Sequence, residues 1–237
     1  ASPDAVISLL EGMNADAIGV NCSLGPDALQ EVIDEYLTYS SLPVIFKPNA
    51  GLPENIDGKT VYNINEDKFS DEIALSIKKG VRWVGGCCGT NDKYIKAVYD
   101  KCKALPVTPV TQKNRSVVSS YTHTVEFGKT PVLIGERINP TGKKLLKEAL
   151  RNNDMEYILK EGLGQEEKQV HILDVNVGLP EIDEKEMMVK TVKALQDVTA
   201  LPLQIDSSDP EVIEAALRIY NGKAIVNSVN GEDKSLH

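Results

Sequence analysis

The sequence predicts an α/β protein built on parallel β-sheets. Seven short runs rich in Val, Ile and Leu alternate with amphipathic segments long enough to form helices. The runs are continuously apolar, as expected for strands that are buried on both faces. Parallel strands connected by helices are the usual product of this alternation. Polar side chains follow each run, and in parallel α/β proteins functional residues collect at this end of the strands, which favours a barrel.

The predicted strands occupy residues 17–22, 43–47, 81–86, 131–135, 170–175, 201–205 and 223–227. The predicted helices lie near residues 26–40, 66–79, 91–103, 143–168, 183–199 and 209–221. Helix starts are marked by capping residues, such as Asn65 and the Ser208-Asp209-Pro210 sequence. Residues 104–130 have no helical period and contain Pro106 and Pro109, so we expect a linker there, with one short strand at Thr122–Phe127.

Composition excludes several classes of protein. The net charge is -9 and there is no dense Lys/Arg run, which argues against a nucleic-acid partner. No apolar stretch approaches the roughly 20 residues of a membrane span. The chain has four cysteines but is long and rich in core residues, so free thiols in a reducing, cytoplasmic compartment are expected rather than disulfides.

Three of those cysteines end predicted strands. Cys22 closes the first, and Cys87-Cys88 close the third within the sequence Gly-Gly-Cys-Cys-Gly-Thr. Their sulfurs could meet at one end of a sheet and bind a tetrahedral metal through three ligands. Three protein ligands and one open position are typical of catalytic zinc. Residue types alone leave a second interpretation open, since buried cysteines are often inert. Cys102 has helical spacing and no predicted role.

Both ends of the chain resemble known families. Gly19-Val20-Asn21-Cys22 and Gly85-Gly86-Cys87-Cys88-Gly89-Thr90 resemble the zinc-dependent homocysteine S-methyltransferases. After the linker, Val132-Leu133-Ile134-Gly135-Glu136-Arg137-Ile138-Asn139 resembles the first strand of the pterin-binding family. Its next three strands are matched by Asp174-Val175-Asn176-Val177-Gly178, Gln204-Ile205-Asp206-Ser207-Ser208 and Ile225-Val226-Asn227-Ser228. The two motif sets in this order resemble the cobalamin-dependent methionine synthase family.

The resemblance implies two (β/α)8 TIM-type barrels, each only partly represented. In that family the Asn-Cys strand is the sixth of eight and the Gly-Gly-Cys-Cys strand is the last. Residues 1–103 would then be the C-terminal part of a homocysteine-binding zinc barrel and residues 104–130 an inter-domain linker. Residues 131–237 would be the N-terminal part of a barrel that binds methyltetrahydrofolate.

The resemblance also assigns roles to residues. Cys22, Cys87 and Cys88 would bind zinc, and the homocysteine sulfur would take the fourth position. Asp206 would accept two N–H bonds from the pterin ring, and Asn227 would bond another part of it. Asp174 and Asn176 lie two apart on one strand and therefore share a face. Further pterin contacts are expected from Glu136, Asn139, Thr141, Gly142 and Lys143. For Arg137 an ion pair with a neighbouring carboxylate is the alternative role.

The implied function is a methyltransferase that makes methionine. In the family the methyl group passes from 5-methyltetrahydrofolate through cob(I)alamin to the zinc-activated homocysteine thiolate. The sequence contains no Asp-x-His-x-x-Gly cobalamin-ligating motif, and His123, His171 and His237 lie in other settings, His171 being expected to be structural. Cobalamin would therefore be bound by another module of the same enzyme.

Three alternatives remain open at this stage. A single zinc-containing α/β barrel hydrolase would require strand pairing between Val132–Gly135 and Trp83–Gly86. A non-catalytic binding module structured by zinc would require a fourth protein ligand beside the three cysteines. A dihydropteroate-synthase-like enzyme would use Asp206 and Asn227 but has no use for the cysteines.

Overall fold

A computed structural model describes residues 1–233, which form two compact units. The first unit is Leu10–Asn114, and the second combines Ala1–Leu9 with the chain from Arg115 onward. The elements in chain order are α1 (Pro3–Gly12), β1 (Ile18–Asn21), α2 (Gln30–Tyr39), β2 (Val44–Lys47), β3 (Pro53–Ile56), β4 (Lys59–Tyr62), α3 (Glu66–Lys79), β5 (Trp83–Val84), α4 (Asp92–Cys102), β6 (Val117–Ser119), β7 (Thr124–Glu126), β8 (Ile134–Ile138), α5 (Lys144–Arg151), α6 (Met155–Glu166), β9 (Ile172–Val175), α7 (Glu184–Val198), β10 (Leu203–Asp206), α8 (Pro210–Leu217) and β11 (Ile225–Asn227).

The first unit is built on a three-stranded parallel sheet in the order β1-β2-β5. Ile18, Val44 and Phe46 are buried, as are Ile33, Phe69 and Ile73 on helices α2 and α3. Between β2 and α3 the chain forms an antiparallel hairpin from β3 and β4. The two strands β1 and β2 approach closely at Gly19, where an added Cβ would lie 2.2 Å from the Ile45 carbonyl oxygen.

The second unit is built on a four-stranded parallel sheet in the order β8-β9-β10-β11. Its core lies between the sheet and helices α5 to α8 and includes Leu173, Val175, Leu203 and Ile205 from the strands. A short antiparallel hairpin of β6 and β7 lies within residues 104–130, and Ser119 bridges to Lys223 beside β11. The strand predicted over Thr122–Phe127 is thus observed as β7.

The α/β class with parallel sheets is confirmed, and the single-barrel alternative is wrong. In the described chain β5 pairs with β2 and β8 pairs with β9, so the two runs that a single barrel would join belong to different sheets. No helix among residues 1–233 combines the length and apolar composition needed to cross a membrane. His237 lies outside the described residues.

Two element predictions need correction. The strand predicted over residues 131–135 is shifted to Ile134–Ile138, so Glu136 and Arg137 lie within the strand rather than after it. The single helix predicted over residues 143–168 is two helices, α5 and α6. Asn153 adopts a left-handed φ of 55° between them, and the Asp154 carboxylate then caps α6 by accepting the Tyr157 N–H at 3.1 Å.

Four elements were not predicted at all. They are helix α1, the two strands of the β3–β4 hairpin and strand β6. Both strands of the β3–β4 hairpin are almost wholly exposed, so they lack the apolar run on which the strand predictions rest.

Candidate functional site

Three cysteine sulfurs meet at one end of the first unit's sheet. The Cys22 and Cys88 sulfurs are 3.7 Å apart, and those of Cys87 and Cys88 are 4.0 Å apart. All three sulfurs lie within 4.8 Å of one another. Cys22 directly follows β1, and Cys87 and Cys88 follow β5, so the strand ends bring the thiols together as the sequence predicts. Sulfurs that bind one tetrahedral zinc ion lie at about this distance from one another, because each Zn–S bond is about 2.3 Å long.

The segment that follows β2 holds both cysteine loops by main-chain hydrogen bonds. The Lys47 carbonyl accepts the Cys22 N–H at 2.9 Å, and the Pro48 carbonyl accepts the Cys87 N–H at 2.8 Å. Strand β2 lies between β1 and β5 in the sheet, so its carboxyl end can reach both neighbours. The positions of the thiols therefore follow from the strand order.

Asn49 adds the one buried side chain in this scaffold. Its Oδ1 accepts the Cys88 N–H at 3.1 Å, and its own N–H donates to the Leu24 carbonyl at 3.0 Å. Asn49 is 5% exposed, so each of these bonds satisfies a group that water reaches poorly. The sequence showed Asn49 only as one of several polar residues after a strand, and its role in positioning Cys88 was missed.

The backbone at Cys22 and Ser23 is unusual. Both residues have φ near +69°, a left-handed backbone conformation that residues other than glycine rarely adopt. Residues held in such conformations are concentrated at functional sites, where the surrounding structure fixes them. Here the Lys47 carbonyl fixes Cys22 from one side, and the Leu24 N–H donates to the Cys22 carbonyl at 3.0 Å.

The surroundings shift the pKa values of two of the thiols in opposite directions. The Ser23 backbone N–H lowers the pKa of Cys22, and hydrogen bonds from the Cys87 and Cys88 thiols lower it further. The pKa of Cys88 is raised, because its thiol donates to Cys22 and a neighbouring thiolate opposes a second negative charge. Within residues 1–233 no His, Asp, Glu or further Cys joins the three as a fourth ligand. Three soft sulfur donors with an open fourth position fit a zinc ion.

A second set of polar side chains lies on one face of the second unit's sheet. Asp174 and Gln204 are register partners on β9 and β10, and the Gln204 amide donates to the Asp174 carboxylate. One step along the same face, the Asn176 amide donates to Asp206 Oδ2 at 3.0 Å. Asp206 is in turn the register partner of Asn227 on β11. Four predicted residues are thus brought together, with Gln204 as a member that sequence reasoning missed.

Asp174 is a buried carboxyl group without a cation bonded to it. Its side chain is 2% exposed, and this burial raises its pKa to about 6. Negative charges on Asp206 and Glu136 raise the pKa further, whereas the Gln204 hydrogen bond and the more distant Lys143 lower it. Near pH 6 this group is therefore about half protonated, whereas an ordinary aspartate is ionised.

The backbone around Asp206 and Asn227 is fixed by Ser207. The Ser207 N–H donates to the Asn227 carbonyl at 2.8 Å, and the Ser207 carbonyl accepts the Ser228 N–H at 3.2 Å. The buried Ser207 hydroxyl donates to Glu184 Oε1 at 2.5 Å. Glu184 begins α7, about 20 residues from Ser207 in sequence, and no local motif marks this pairing.

The loop after β8 places the remaining predicted residues beside one another. Lys143 Nζ donates to Glu136 Oε2 at 2.9 Å and to the Asn139 carbonyl at 3.1 Å. Asn139 Oδ1 accepts the Thr141 N–H at 3.0 Å, and Gly142 adopts a left-handed φ of 73° that closes the turn. Thr141 and Gly142 are exposed, and Thr141 joins this network through its backbone N–H.

Other residues have structural roles. Arg137 forms an ion pair with Glu161 at 3.1 Å. His171 Nδ1 accepts the Leu133 N–H at 2.9 Å and so holds the start of β8, as expected of a structural histidine. Cys102 ends α4, apart from the three clustered thiols, and burial raises the pKa of its thiol.

Comparison with known proteins gives two family matches. Residues 1–102 match the model of the homocysteine S-methyltransferase family, and residues 135–237 match that of the pterin binding enzymes. The chain is 31% identical over 237 residues to a protein of Mycobacterium leprae and to one of Mycobacterium tuberculosis, both named methionine synthase. Each alignment covers 97% of this chain but 20% of the relative, so the chain spans about a fifth of their length.

Among solved structures, the carboxyl transferase domain of Rhizobium etli pyruvate carboxylase aligns over 94% of this chain and 37% of its own. The sequence identity is 13% and the TM-score is 0.28, too low to bear on fold or function.

Proposed function

We infer that the chain belongs to the methionine synthase family, and we propose that it is a segment of the cobalamin-dependent enzyme. Residues 1–103 would be the end of the homocysteine-binding barrel, 104–130 the inter-domain linker and 131–237 the start of the pterin-binding barrel. The order of the two family matches along the chain and the two relatives support this assignment.

The distribution of side chains on the second unit's sheet supports a partial barrel. Apolar residues of β9 and β10 pack under the helices, whereas Asp174, Gln204 and Asp206 lie on the opposite face. Parallel sheets are normally covered on both faces. In a (β/α)8 barrel the helix-free face becomes the interior, and the ligand binds where the strands end. Asp206 and Asn227 end β10 and β11 respectively.

The first site is proposed to bind zinc through Cys22, Cys87 and Cys88. Zinc bound there would supply Lewis acidity that makes a coordinated substrate thiol a thiolate at neutral pH, where a free thiol is mostly protonated. The chain's own contribution is geometric. The carbonyls of Lys47 and Pro48 fix the cysteine backbones, and the fourth position is left to the homocysteine sulfur.

The second site is proposed to bind the pterin ring of methyltetrahydrofolate. The Asp206 carboxylate suits the amino-pyrimidinone edge, because its two oxygens accept two parallel N–H bonds. Asn176 holds one Asp206 oxygen at 3.0 Å and so orients the carboxylate before the ligand arrives. Asn227, Asp174, Glu136, Asn139, Thr141, Gly142 and Lys143 would line the same end of the barrel.

The proposed reaction makes methionine by two methyl transfers. Methyltetrahydrofolate at the second site would give its methyl group to cob(I)alamin, bound by another module of the enzyme. The methyl group would then pass to homocysteine at the first site. The four free thiols suit a reducing compartment, and we place the enzyme in the cytoplasm.

The convergence of three thiols, with no fourth protein ligand among residues 1–233, is the observation that most supports this function. It also disfavours a zinc-structured binding module, because a structural zinc site needs four protein ligands. The test is zinc content by atomic absorption, followed by methyl transfer from free methylcobalamin to homocysteine. One zinc per chain and homocysteine-dependent demethylation of methylcobalamin are expected. Bound zinc without this activity would favour the zinc-structured binding module. Absence of zinc would exclude both the catalytic zinc site and the binding module.

A further inference from the structure

Ser207 follows the last residue of β10 and extends the pairing of β10 with β11 by one step. Its N–H donates to the Asn227 carbonyl at 2.8 Å, and its carbonyl accepts the Ser228 N–H at 3.2 Å. Asp206 and Asn227, the two residues proposed to bond the pterin ring, are register partners directly before this step. The backbone position of Ser207 therefore sets how far apart the Asp206 and Asn227 side chains lie where the two strands end.

The Ser207 hydroxyl is held by a donor and an acceptor. It accepts the Asp209 backbone N–H at 3.1 Å and donates to Glu184 Oε1 at 2.5 Å. A hydroxyl has one proton to donate, and here Glu184 receives it. Ser207 is 2% exposed, so water would not readily replace this acceptor. Loss of the Glu184 side chain would leave a buried O–H without its partner, a cost that a shift of Ser207 would relieve.

The Glu184 carboxylate lies between the segments that follow two neighbouring strands. Glu184 is the first residue of α7, and Asp183 before it caps the helix by accepting the Glu186 N–H at 2.9 Å. While Oε1 bonds to Ser207 after β10, Oε2 lies beside Gly178 after β9, where an added Cβ would be 3.5 Å from that oxygen. The start of a helix also favours a negative charge.

The segment after β9 is connected to Asp206 as well. The Gly178 N–H donates to Asn176 Oδ1 at 3.0 Å. This bond turns the Asn176 NH₂ group toward Asp206, whose Oδ2 accepts from it at 3.0 Å. Glu184 thus lies beside one segment that orients Asp206 and is hydrogen-bonded to the other.

We propose that Glu184 is a positioning residue of the pterin site, which acts through the Ser207 hydroxyl to fix the spacing of Asp206 and Asn227. This inference rests on the pterin site proposed above. Hydrogen-bonding groups on two strands bind a rigid planar ring well only when their spacing is held, because the ring cannot adjust to a shift of either group. Glu184 would therefore contribute to affinity without touching the ligand.

The test is Glu184→Ala in the intact enzyme, with methyltetrahydrofolate binding measured by isothermal titration calorimetry. The dissociation constant should rise about 10-fold, the order expected when one hydrogen bond to a charged acceptor is lost. Glu184→Gln keeps an oxygen that accepts from the Ser207 hydroxyl and should restore the affinity of the unmodified enzyme. The matched control is Glu186→Ala, which removes an exposed carboxylate from the same first turn of α7 and should leave the dissociation constant unchanged.

Steady-state kinetics of methyl transfer to cob(I)alamin separate positioning from loss of folded protein. A positioning role raises the KM for methyltetrahydrofolate and leaves kcat unchanged, whereas a fraction of unfolded enzyme lowers kcat at constant KM. Equal dissociation constants for Glu184→Ala and Glu186→Ala, or a fall in kcat alone, would overturn the role of Glu184. Binding by Glu184→Gln as weak as by Glu184→Ala would also overturn it, because the charge rather than the hydrogen bond would then matter. Failure of the unmodified enzyme to bind methyltetrahydrofolate would instead overturn the proposed pterin site.

Discussion

The three thiols of the first unit are held by main-chain hydrogen bonds, whereas the polar side chains of the second unit's sheet hold one another. Lys47 and Pro48 fix the cysteine loops through their carbonyls, and the sulfurs stay partly open to solvent. In the second unit, Asp174 is buried against Gln204, and Asp206 is bonded to Asn176. One site lies in loops beyond the strand ends, and the other lies on the strands themselves.

This difference predicts different consequences of mutation. Exposed thiols contribute little to the core, so changes there should act on metal binding and leave the fold intact. The polar residues of the second sheet are packed and interconnected, so changes there should alter stability as well as ligand affinity. The following experiments compare the two sites on this basis, from the largest expected effect to the smallest.

Replacing a clustered cysteine should give the largest effect. Cys87→Ser or Cys88→Ser removes one of three soft ligands, and we expect loss of zinc and of homocysteine methylation to background. Methyl transfer from methyltetrahydrofolate to cobalamin should continue, because it uses the other unit. Cys102→Ser is the control and should keep both zinc and activity. Full zinc content and turnover in the two cluster variants would rule out the assigned ligands.

Replacing Asp174 should change the pH dependence of stability. The pKa of this group is about 6 in the native protein, above its ordinary value of 3.8, so the native state holds the proton more tightly than the unfolded state. Its contribution to stability is therefore greatest below pH 4 and falls as pH rises to 6. Asp174→Asn cannot ionise and should lack this fall. At pH 7 the variant should be more stable by about 2–3 kcal/mol.

Denaturant unfolding at pH 4 and pH 7 measures that difference, with the unmodified protein compared at each pH. The comparison cancels other titrating groups, including Asp206, Glu136 and Lys143, which face Asp174. Equal stability of Asp174→Asn and the unmodified protein at both pH values would show that Asp174 is ionised normally.

Sequence patterns predicted the parallel sheets well, because each buried strand needs a continuous apolar run. Six of the seven strand predictions coincide with an observed strand within about two residues at each end, whereas 131–135 was displaced toward Ile138. The displacement has a physical cause. Gln165 on α6 accepts the Arg137 backbone N–H at 2.8 Å. A side chain from a helix therefore supplies a hydrogen bond to the strand at Arg137, where the polar residues of the sequence indicated that the strand had already ended.

The convergence of Cys22 with Cys87 and Cys88 was predictable, because parallel strands end at the same edge of a sheet. Gln204, Glu184 and Asn49 were not, since each acts through a partner far away in sequence that only the fold brings near. The β3–β4 hairpin was missed for a different reason. It has no buried face, so no periodic pattern marks it as structured.

Replacing Asp206 should weaken ligand binding with a smaller effect than loss of zinc. Asp206→Asn keeps the size of the side chain and an oxygen for the Asn176 amide, so the fold should persist. The variant replaces the other carboxylate oxygen, which would accept an N–H from the pterin, with an NH₂ group. We therefore expect the free energy of methyltetrahydrofolate binding to become less favourable by about 1–3 kcal/mol. Isothermal titration calorimetry measures this. Asp197→Asn, at an exposed position on α7, is the control. Unchanged affinity would place the pterin elsewhere.

Replacing Asn49 should have the smallest effect and tests the main-chain scaffold directly. Asn49→Ala leaves the Cys88 N–H without its acceptor, while the carbonyls of Lys47 and Pro48 still hold the other two cysteines. We expect about 1 kcal/mol of lost stability, since a single hydrogen bond in a buried setting is removed. Zinc release to a chelator should be faster by about 5-fold, the factor that 1 kcal/mol corresponds to. Loss of bound zinc from Asn49→Ala, as expected for Cys88→Ser, would instead mean that Asn49, rather than the main chain, is what holds the thiol cluster together.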